Sequence, residues 1–314
     1  MTSLSLVTGG AGFIGSHVVE RLLRDGQRVR VLDNFSTGRR ENLAFAGAAA
    51  NLDIIDGDLR DLAVVERAAA GAEVIYHQAA MRSVPRSVDD PLGANDNNVN
   101  GSLHVLEAAR RHGVRRVVYA SSSSVYGDNP ELPKREDQAV APVSPYAVSK
   151  AAGEHYARVW SKLYGVETVG LRYFNVFGPR QDPASEYAAV LPRFILWGLR
   201  GQPLEVHGDG SQSRDFTFIE NVVEANILAG QAPDVGGEAF NIGCGERTSL
   251  LDVVGMLERL LGRPLERRHS PVRGGDVPHT MADVSKAKRL LGYAPLVNFA
   301  EGFRRTVDYF RALA

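Results

Sequence analysis

Along the first half of the chain, short runs of β-branched and other apolar residues alternate with longer stretches whose apolar positions recur every three or four residues. Leu4–Val7, Val29–Leu32, Leu52–Ile55, Val74–Tyr76, Val117–Tyr119 and Thr168–Leu171 have the composition of buried strands. Between them, Val18, Leu22 and Leu23 mark one helical face, and Leu103, Leu106 and Val114 mark another. This alternation predicts right-handed βαβ crossovers, and therefore an α/β fold with a doubly wound parallel sheet covered by helices on both faces. A ligand of such a sheet belongs beyond the carboxyl ends of its strands.

After about Phe174 the rhythm changes, with loops marked by Gly178-Pro179, Gly201-Gln202-Pro203 and Gly208-Asp209-Gly210. The pattern predicts a first domain over 1–173 and a smaller mixed α/β lobe over 174–314, interleaved through returns to the first domain near 215–240 and 277–284. No repeat or low-complexity linker separates them, so the two parts should share a cleft.

Composition narrows the partners. Lys plus Arg (36) nearly balances Asp plus Glu (37), leaving a net charge of −1 and no global field for nucleic acid or a membrane surface. Any anion must therefore be held locally. No apolar run reaches membrane-spanning length, and the N-terminus lacks the pattern of a secretory leader. The single cysteine, Cys244, has no thiolate-activating motif around it and reads as structural, in keeping with a reducing, cytoplasmic setting. The eight histidines are scattered without metal-ligand spacing, so no metal is expected.

Candidate chemistry begins where the first strand meets Gly9-Gly10-Ala11-Gly12-Phe13-Ile14-Gly15. Gly9, Gly12 and Gly15 permit a tight turn and close backbone approach, while Phe13 and Ile14 open a helix whose N-terminal N–H groups suit a pyrophosphate. Asp33, at the end of the second strand and followed by Asn34, can accept both ribose hydroxyls of an adenosine but repels a 2′-phosphate. NAD is thus favoured over NADP, with Arg39 and Arg40 read as solvated charges. Asp58, followed by Leu59 after the third strand, is placed to receive an adenine amino group.

Further on, Tyr146 and Lys150 stand four residues apart at the start of a predicted helix, on one face. The Ser121–Ser124 run follows the fifth strand, at the expected mouth of the cleft. A phenol of pKa about 10 must lose roughly 3 units to act near neutrality, about 4 kcal/mol. An ammonium about 4 Å away supplies roughly that much at an effective dielectric of about 20.

The glycine turn, strand-end serine and Tyr-x-x-x-Lys, in this order, resemble the extended short-chain dehydrogenase/reductases, with their Rossmann-type domain, over essentially the full chain. The resemblance implies that Tyr146 is the acid/base, that Lys150 tunes it and holds the nicotinamide ribose, and that Ser122 orients the substrate hydroxyl. Within that superfamily His77–Ser87, Asn97 and Arg172–Gly178 resemble segments of the UDP-hexose 4-epimerases. By that likeness Gln78, Ala79, Ala80, Arg82, Asn97, Tyr173 and Phe174 face the cofactor. Ser83, Ser123, Asn175, Gln181, Ala189, Val190 and Val206 face the substrate. Arg214 and Arg273 clamp its diphosphate, Asp276 contacts the nucleotide ribose, and Thr280 sizes the pocket at the sugar C2. Two guanidinium forks suit a diphosphate through paired, charge-assisted hydrogen bonds.

The implied reaction has Tyr146 take the C4 hydroxyl proton as C4 loses hydride to NAD, and the resulting 4-keto sugar turns before the reverse transfer inverts the centre. Sugar-nucleotide dehydratases carry Asp-Glu where this chain has Ser123-Ser124, and uronate decarboxylases carry Glu at Ser124. Uronate 4-epimerases share the serine-rich strand end and remain an alternative, as does a non-catalytic NAD-binding regulator. Arg82 resembles the basic residue of glucose-type epimerases, whereas Thr280, Asn175, Gln181 and Ala189 match enzymes accepting N-acetylated sugars. The expectation is UDP-glucose/UDP-galactose turnover with some acceptance of UDP-GlcNAc/UDP-GalNAc. A homodimer built on helices near Asn98–His112 and Tyr146–Tyr164 is implied by the same likeness.

Overall fold

The computed structural model describes residues 3–47, 49–183, 189–271 and 277–313. Strands β1 (Leu4–Thr8), β2 (Arg28–Asp33), β3 (Leu52–Asp56), β4 (Val74–His77), β5 (Arg116–Ser122) and β6 (Glu167–Tyr173) alternate with helices. The helices are α1 (Phe13–Arg24), α2 (Leu62–Ala69), the short α3 (Val84–Asp89) and α4 (Pro91–Asn95), α5 (Gly101–Arg111) and α6 (Pro145–Tyr164). Each of the six predicted strands is present and runs on by one or more residues at its ends. The ladder continues into polar positions such as Asp33, His77 and Ser122, which an apolar pattern does not mark.

The later half contributes β7 (Val176–Phe177), α7 (Val190–Arg200), β8 (Leu204–His207), β9 (Ser213–Arg214), β10 (Thr217–Phe218), α8 (Ile219–Gln231) and β11 (Glu238–Ile242). After these come β12 (Thr248–Ser249), α9 (Leu250–Leu261), β13 (Arg267–Ser270), α10 (Ser285–Leu291) and α11 (Phe299–Leu313). β11 joins the main sheet, which is parallel throughout in the order β3-β2-β1-β4-β5-β6-β11, a Rossmann-type arrangement. The order turns between β1 and β4, where Val7 pairs with Val31 on one side and Tyr76 on the other. The crevice lies at that switch point. Away from it, β7 pairs β10, β9 pairs β12 and β8 pairs β13, forming small ladders in the second part of the chain.

Two apolar layers flank the sheet. One packs α1 and α8 through Val18, Leu22 and Val222, and the other packs α2 and α5 through Val65, Val105 and Leu106, all almost wholly buried. Burying each such side chain is worth about 1.5–3 kcal/mol. α6 reaches the sheet through Gly153, where a Cβ would lie 2.2 Å from the Tyr119 hydroxyl. That close approach brings the first two turns of α6 against the end of β5. Ser144 caps the helix by accepting the Ala147 N–H at 3.2 Å, Pro145 opens it, and Gly165 ends it in the left-handed region.

Candidate active site

The glycine turn forms a cradle that side chains cannot enter. Gly9 has φ +66°, and a Cβ there would meet the Ala79 backbone at 2.7 Å. A Cβ on Gly15 would lie 2.1 Å from the Gly9 carbonyl oxygen, so glycine at this position is what lets α1 start directly on the turn. Gly12 caps α1 without any side-chain hydrogen bond, and the first helical turn has no acidic residue. The N–H groups opening at Phe13 and Ile14 are thus left for an anion, which is the arrangement a dinucleotide pyrophosphate requires.

Asp33 is buried at the end of β2 and does two jobs. Its Oδ2 accepts the Ala11 N–H at 2.9 Å and its Oδ1 accepts the Phe35 N–H at 2.8 Å, so it ties the glycine turn to the loop after β2. A carboxylate has about four acceptor sites, which leaves capacity for two ribose hydroxyls. Burial raises its pKa, against the pull of those two N–H groups. Arg39 pairs with Asp182 at 2.8 Å, and Arg40 pairs with Asp56 at 2.7 Å while stacking on Phe35. Both are largely exposed, in keeping with solvated charges, and each also has a carboxylate partner. Asn34 donates to Asp58 at 2.8 Å, and Arg60 holds the Asp58 carboxyl well below its usual range. Leu59 accepts at its carbonyl from the His104 ring at 2.8 Å.

On the other side of the switch point, the β4 loop is anchored at several points. Gln78 N–H reaches the Thr8 carbonyl at 3.1 Å, Ala79 N–H reaches the Thr8 hydroxyl at 3.3 Å, and the Gln78 amide donates to Asn226 at 2.9 Å. Tyr173 also donates to Gln78, at 3.2 Å, linking β6 to this loop. Asn97 lies in a π turn, Asp96–Asn100, with its amide on the Gly93 carbonyl at 2.8 Å. Its neighbour Asn98, which sequence reasoning passed over, is the buried anchor. Asn98 accepts the Met81 N–H at 2.7 Å and donates to the Met81 carbonyl at 3.0 Å and to Ser149 at 2.9 Å. Ala80 and Arg82 flank Met81, while Ser83 (φ +106°) caps α3.

At the end of β5, Ser122 accepts the Ser124 N–H at 3.2 Å, and Tyr146 faces it from α6. Burial raises the Tyr146 pKa, while the nearby Ser122 hydroxyl and the positive field of Arg82 pull it down. Lys150 is buried one turn further along α6, donating to the Ala120 carbonyl at 2.8 Å, with its ammonium 5.9 Å from the Tyr146 ring centre. Burial lowers the Lys150 pKa to about 7, opposed by the negative charge of Glu154. The expected trio is thus assembled, with the lysine bonded to the strand end and Arg82 as a second cation facing the phenol. Ser123 is half-buried beside it.

The substrate-side residues are distributed unevenly. Asn175, at a strained φ of +35°, donates to the Asp215 carbonyl at 3.0 Å and to the Thr280 hydroxyl at 3.2 Å, so two predicted contacts touch one another. Gln181 is buried, and among the described residues its Oε1 has no hydrogen-bond partner, which suits it to accept from a ligand. It shares a cleft wall with Phe13, Arg39, Arg82 and Asp182. Arg214 donates to the Ser213 and Pro278 carbonyls at 3.0 and 2.9 Å. Ala189 is exposed, Val190 begins α7, and Val206 is fully buried in β8. Phe174 is also fully buried, packed with Tyr126 and Ala282. Arg273 and Asp276 lie outside the described residues.

Asp215, next to Arg214, is a further residue to which sequence reasoning assigned no role. It is fully buried and accepts the N–H groups of Cys244, Gly245 and Ala282 at 2.8, 2.9 and 3.1 Å, which fastens the segment after Thr280 to the lobe. Burial raises its pKa to about 6 and pushes the Cys244 thiol up to about 12, which disfavours the thiolate. Among the described residues no group of three His, Cys, Asp or Glu is placed to hold a metal ion, and no helix is long and apolar enough to cross a membrane.

Residues 5–243 match the model of the NAD dependent epimerase/dehydratase family. The chain belongs to that family. Its cofactor is NAD, in agreement with the glycine cradle and the Asp33 carboxylate. A UDP-glucose 4-epimerase of Mycolicibacterium smegmatis is 44% identical over 313 residues, covering 98% of each chain. A solved UDP-N-acetylglucosamine 4-epimerase of Methanobrevibacter ruminantium superposes with a TM-score of 0.95 at 39% identity, covering 100% of both chains. A UDP-glucuronic acid 4-epimerase of Bacillus cereus, solved with UDP-glucuronic acid and NAD, gives a TM-score of 0.91 at 34% identity over 99% of this chain and 100% of that one. Relatives with three different sugars are thus similar along their whole length, and overall likeness does not choose among them.

Proposed function

We propose that this chain is a UDP-sugar 4-epimerase acting on UDP-glucose and UDP-galactose, with UDP-GlcNAc and UDP-GalNAc also accepted. The observation that carries the reading is the buried Lys150, bonded to the Ala120 carbonyl at 2.8 Å and 5.9 Å from the Tyr146 ring centre, at the same end of the sheet as Ser122 and the glycine cradle.

In this reading Tyr146, as phenolate, takes the proton of the sugar C4 hydroxyl, which Ser122 orients. NAD, held by the glycine cradle and Asp33, would supply the hydride acceptor and donor for C4. Lys150 and Arg82 favour the phenolate by placing positive charge near it. Arg214 and Arg273 hold the diphosphate while the 4-keto sugar turns, so tight anchoring and a loose hexose coexist in one site. Tyr146 then gives its proton back to the C4 oxygen. Residues 1–173 supply the cofactor side and residues 174–314 most of the substrate side.

A UDP-glucuronate 4-epimerase is the second reading, favoured by Arg82, a cation in the cleft wall close to the phenol. A homodimer is also proposed. Val148, Tyr156, Val159 and Leu163 form an exposed apolar stripe along α6, and Leu92 on α4 is 83% exposed beside it. Turnover of UDP-glucose, UDP-GlcNAc and UDP-glucuronate under matched conditions tests the sugar assignment. Tyr146→Phe is expected to lower the preferred turnover by at least about 1,000-fold. Absence of conversion of every UDP-sugar would favour the non-catalytic regulator instead.

A further inference from the structure

Glu154 stands four residues beyond Lys150 and eight beyond Tyr146, on the same stripe of α6. Its carboxylate is only 10% exposed and is engaged from two strands. Ser121, at the end of β5, donates to Oε1. Arg172, from β6 and itself 5% exposed, donates Nε to Oε1 at 2.9 Å and Nη2 to Oε2 at 2.8 Å. Arg172 then donates Nη1 to the Tyr126 hydroxyl at 2.8 Å, and Tyr126 donates to Asn241 of β11 at 2.6 Å. One ion pair therefore joins the catalytic helix to the ends of β5 and β6, which carry Ser122 and Phe174-Asn175.

We propose that Glu154 is a positioning residue that keeps Lys150 charged, and that Arg172 holds Glu154 in place while limiting the strength of that effect. The groups around Lys150 leave this task to Glu154. His77 from β4 faces Lys150 but is buried and neutral, and Tyr119 from β5 presents its ring 5.2 Å away. Tyr146 on α6 is the group to be tuned, and Arg82 from the β4 loop faces it with positive charge. Glu154 is the carboxylate that offsets the cost of burying the ammonium. Arg172, carrying the opposite charge, weakens Glu154 at a distance while fixing its geometry. Glu136, from the segment before α6, faces Arg172 and Tyr126 with a second negative charge and accepts the Asn241 N–H at 2.8 Å.

The inference rests on Tyr146 being the base, and the experiment separates the two. kcat/KM for the best UDP-sugar is followed against pH in the holoenzyme and in Glu154→Gln, Arg172→Gln and Tyr146→Phe. Loss of the Glu154 charge lets Lys150 lose its proton, the phenol becomes harder to ionise, and the acid limb is expected to rise by about one unit. Arg172→Gln removes the opposing charge, so its limb is expected to fall or stay, never to rise. A purely structural role would lower activity in both variants with the limb in place, and that result, or a rise in both, overturns the proposal. If Glu154→Gln does not fold, Glu154→Asp is read in its place, with a smaller rise expected and an unmoved limb counting against the idea. Persistent turnover in Tyr146→Phe would sink the assignment of the base itself, whereas a fixed limb in an enzyme that needs Tyr146 sinks only the role of Glu154.

Discussion

Replacing Lys150 by Met separates the two roles proposed for this one side chain, tuning the phenol and binding the cofactor. The ammonium lies 5.9 Å from the centre of the Tyr146 ring. At an effective dielectric of about 20, a unit charge at that distance is worth about 3 kcal/mol, or about two pK units. Lys150→Met should therefore move the acid limb of kcat/KM upward by about two units. Near neutrality, where the phenolate fraction controls the rate, this is a loss of about 100-fold, with much of it recovered at alkaline pH. The wild-type lysine, pulled to about 7 by burial, loses its own charge as pH rises, so its advantage should be greatest below that value. The assay is steady-state epimerisation with saturating NAD across the pH range, with bound NAD measured in parallel. A pH-independent loss that tracks NAD content would refute the electrostatic argument and leave Lys150 as a cofactor ligand only.

Three further outcomes are expected. Gly15→Ala places a methyl 2.1 Å from the Gly9 carbonyl oxygen, so the protein should purify with little NAD, read from absorbance of the released nucleotide, and full retention would contradict the cradle. His77 is buried, 2.7 Å from the Thr8 hydroxyl and 2.9 Å from that of Ser102, with its pKa lowered to about 3 by desolvation. The unfolded state binds the proton more readily, so stability is intact above about pH 6.5 and falls below it by about 1.4 kcal/mol per unit. His77→Leu should flatten that slope in urea unfolding at several pH values, and an unchanged slope would assign it to other groups such as His17, shifted down to about 4. Thr280→Tyr should reduce UDP-GlcNAc turnover more than UDP-glucose turnover, and equal losses would defeat the pocket-size reading of this position.

Sequence and structure met most closely where chemistry demands a local pattern. The glycine spacing, the strand-end Asp33 and the Tyr146/Lys150 pair are short-range features, each defined within a turn or two of backbone. Asn98, Glu154 and Asp215 were illegible for the opposite reason. Each is a polar residue without a motif of its own whose partners are far along the chain, such as Met81 for Asn98 or Cys244 and Ala282 for Asp215. β11 was foreseen only as a return of the chain to the first domain near 215–240, because Glu238–Ile242 is short and its apolar side chains are buried by pairing with β6 and packing under α8 and α10.

By itself, then, the order of residues determined the parallel α/β architecture and the preference for a dinucleotide, because both follow from periodicity and turn chemistry along the chain. It also brought Tyr146 and Lys150 to one helical face. Only the tertiary structure decided how those two side chains are charged, since that depends on burial, on the Ala120 carbonyl, and on Arg82 and Glu154 arriving from elsewhere in the sequence or further along the helix. Likewise the tie between Asn175 and Thr280 spans residues remote in the chain and exists only because the lobe folds back over the sheet. Local rules place reactive groups, whereas electrostatics and buried hydrogen bonds, which sum over whatever the fold gathers, set what those groups can do.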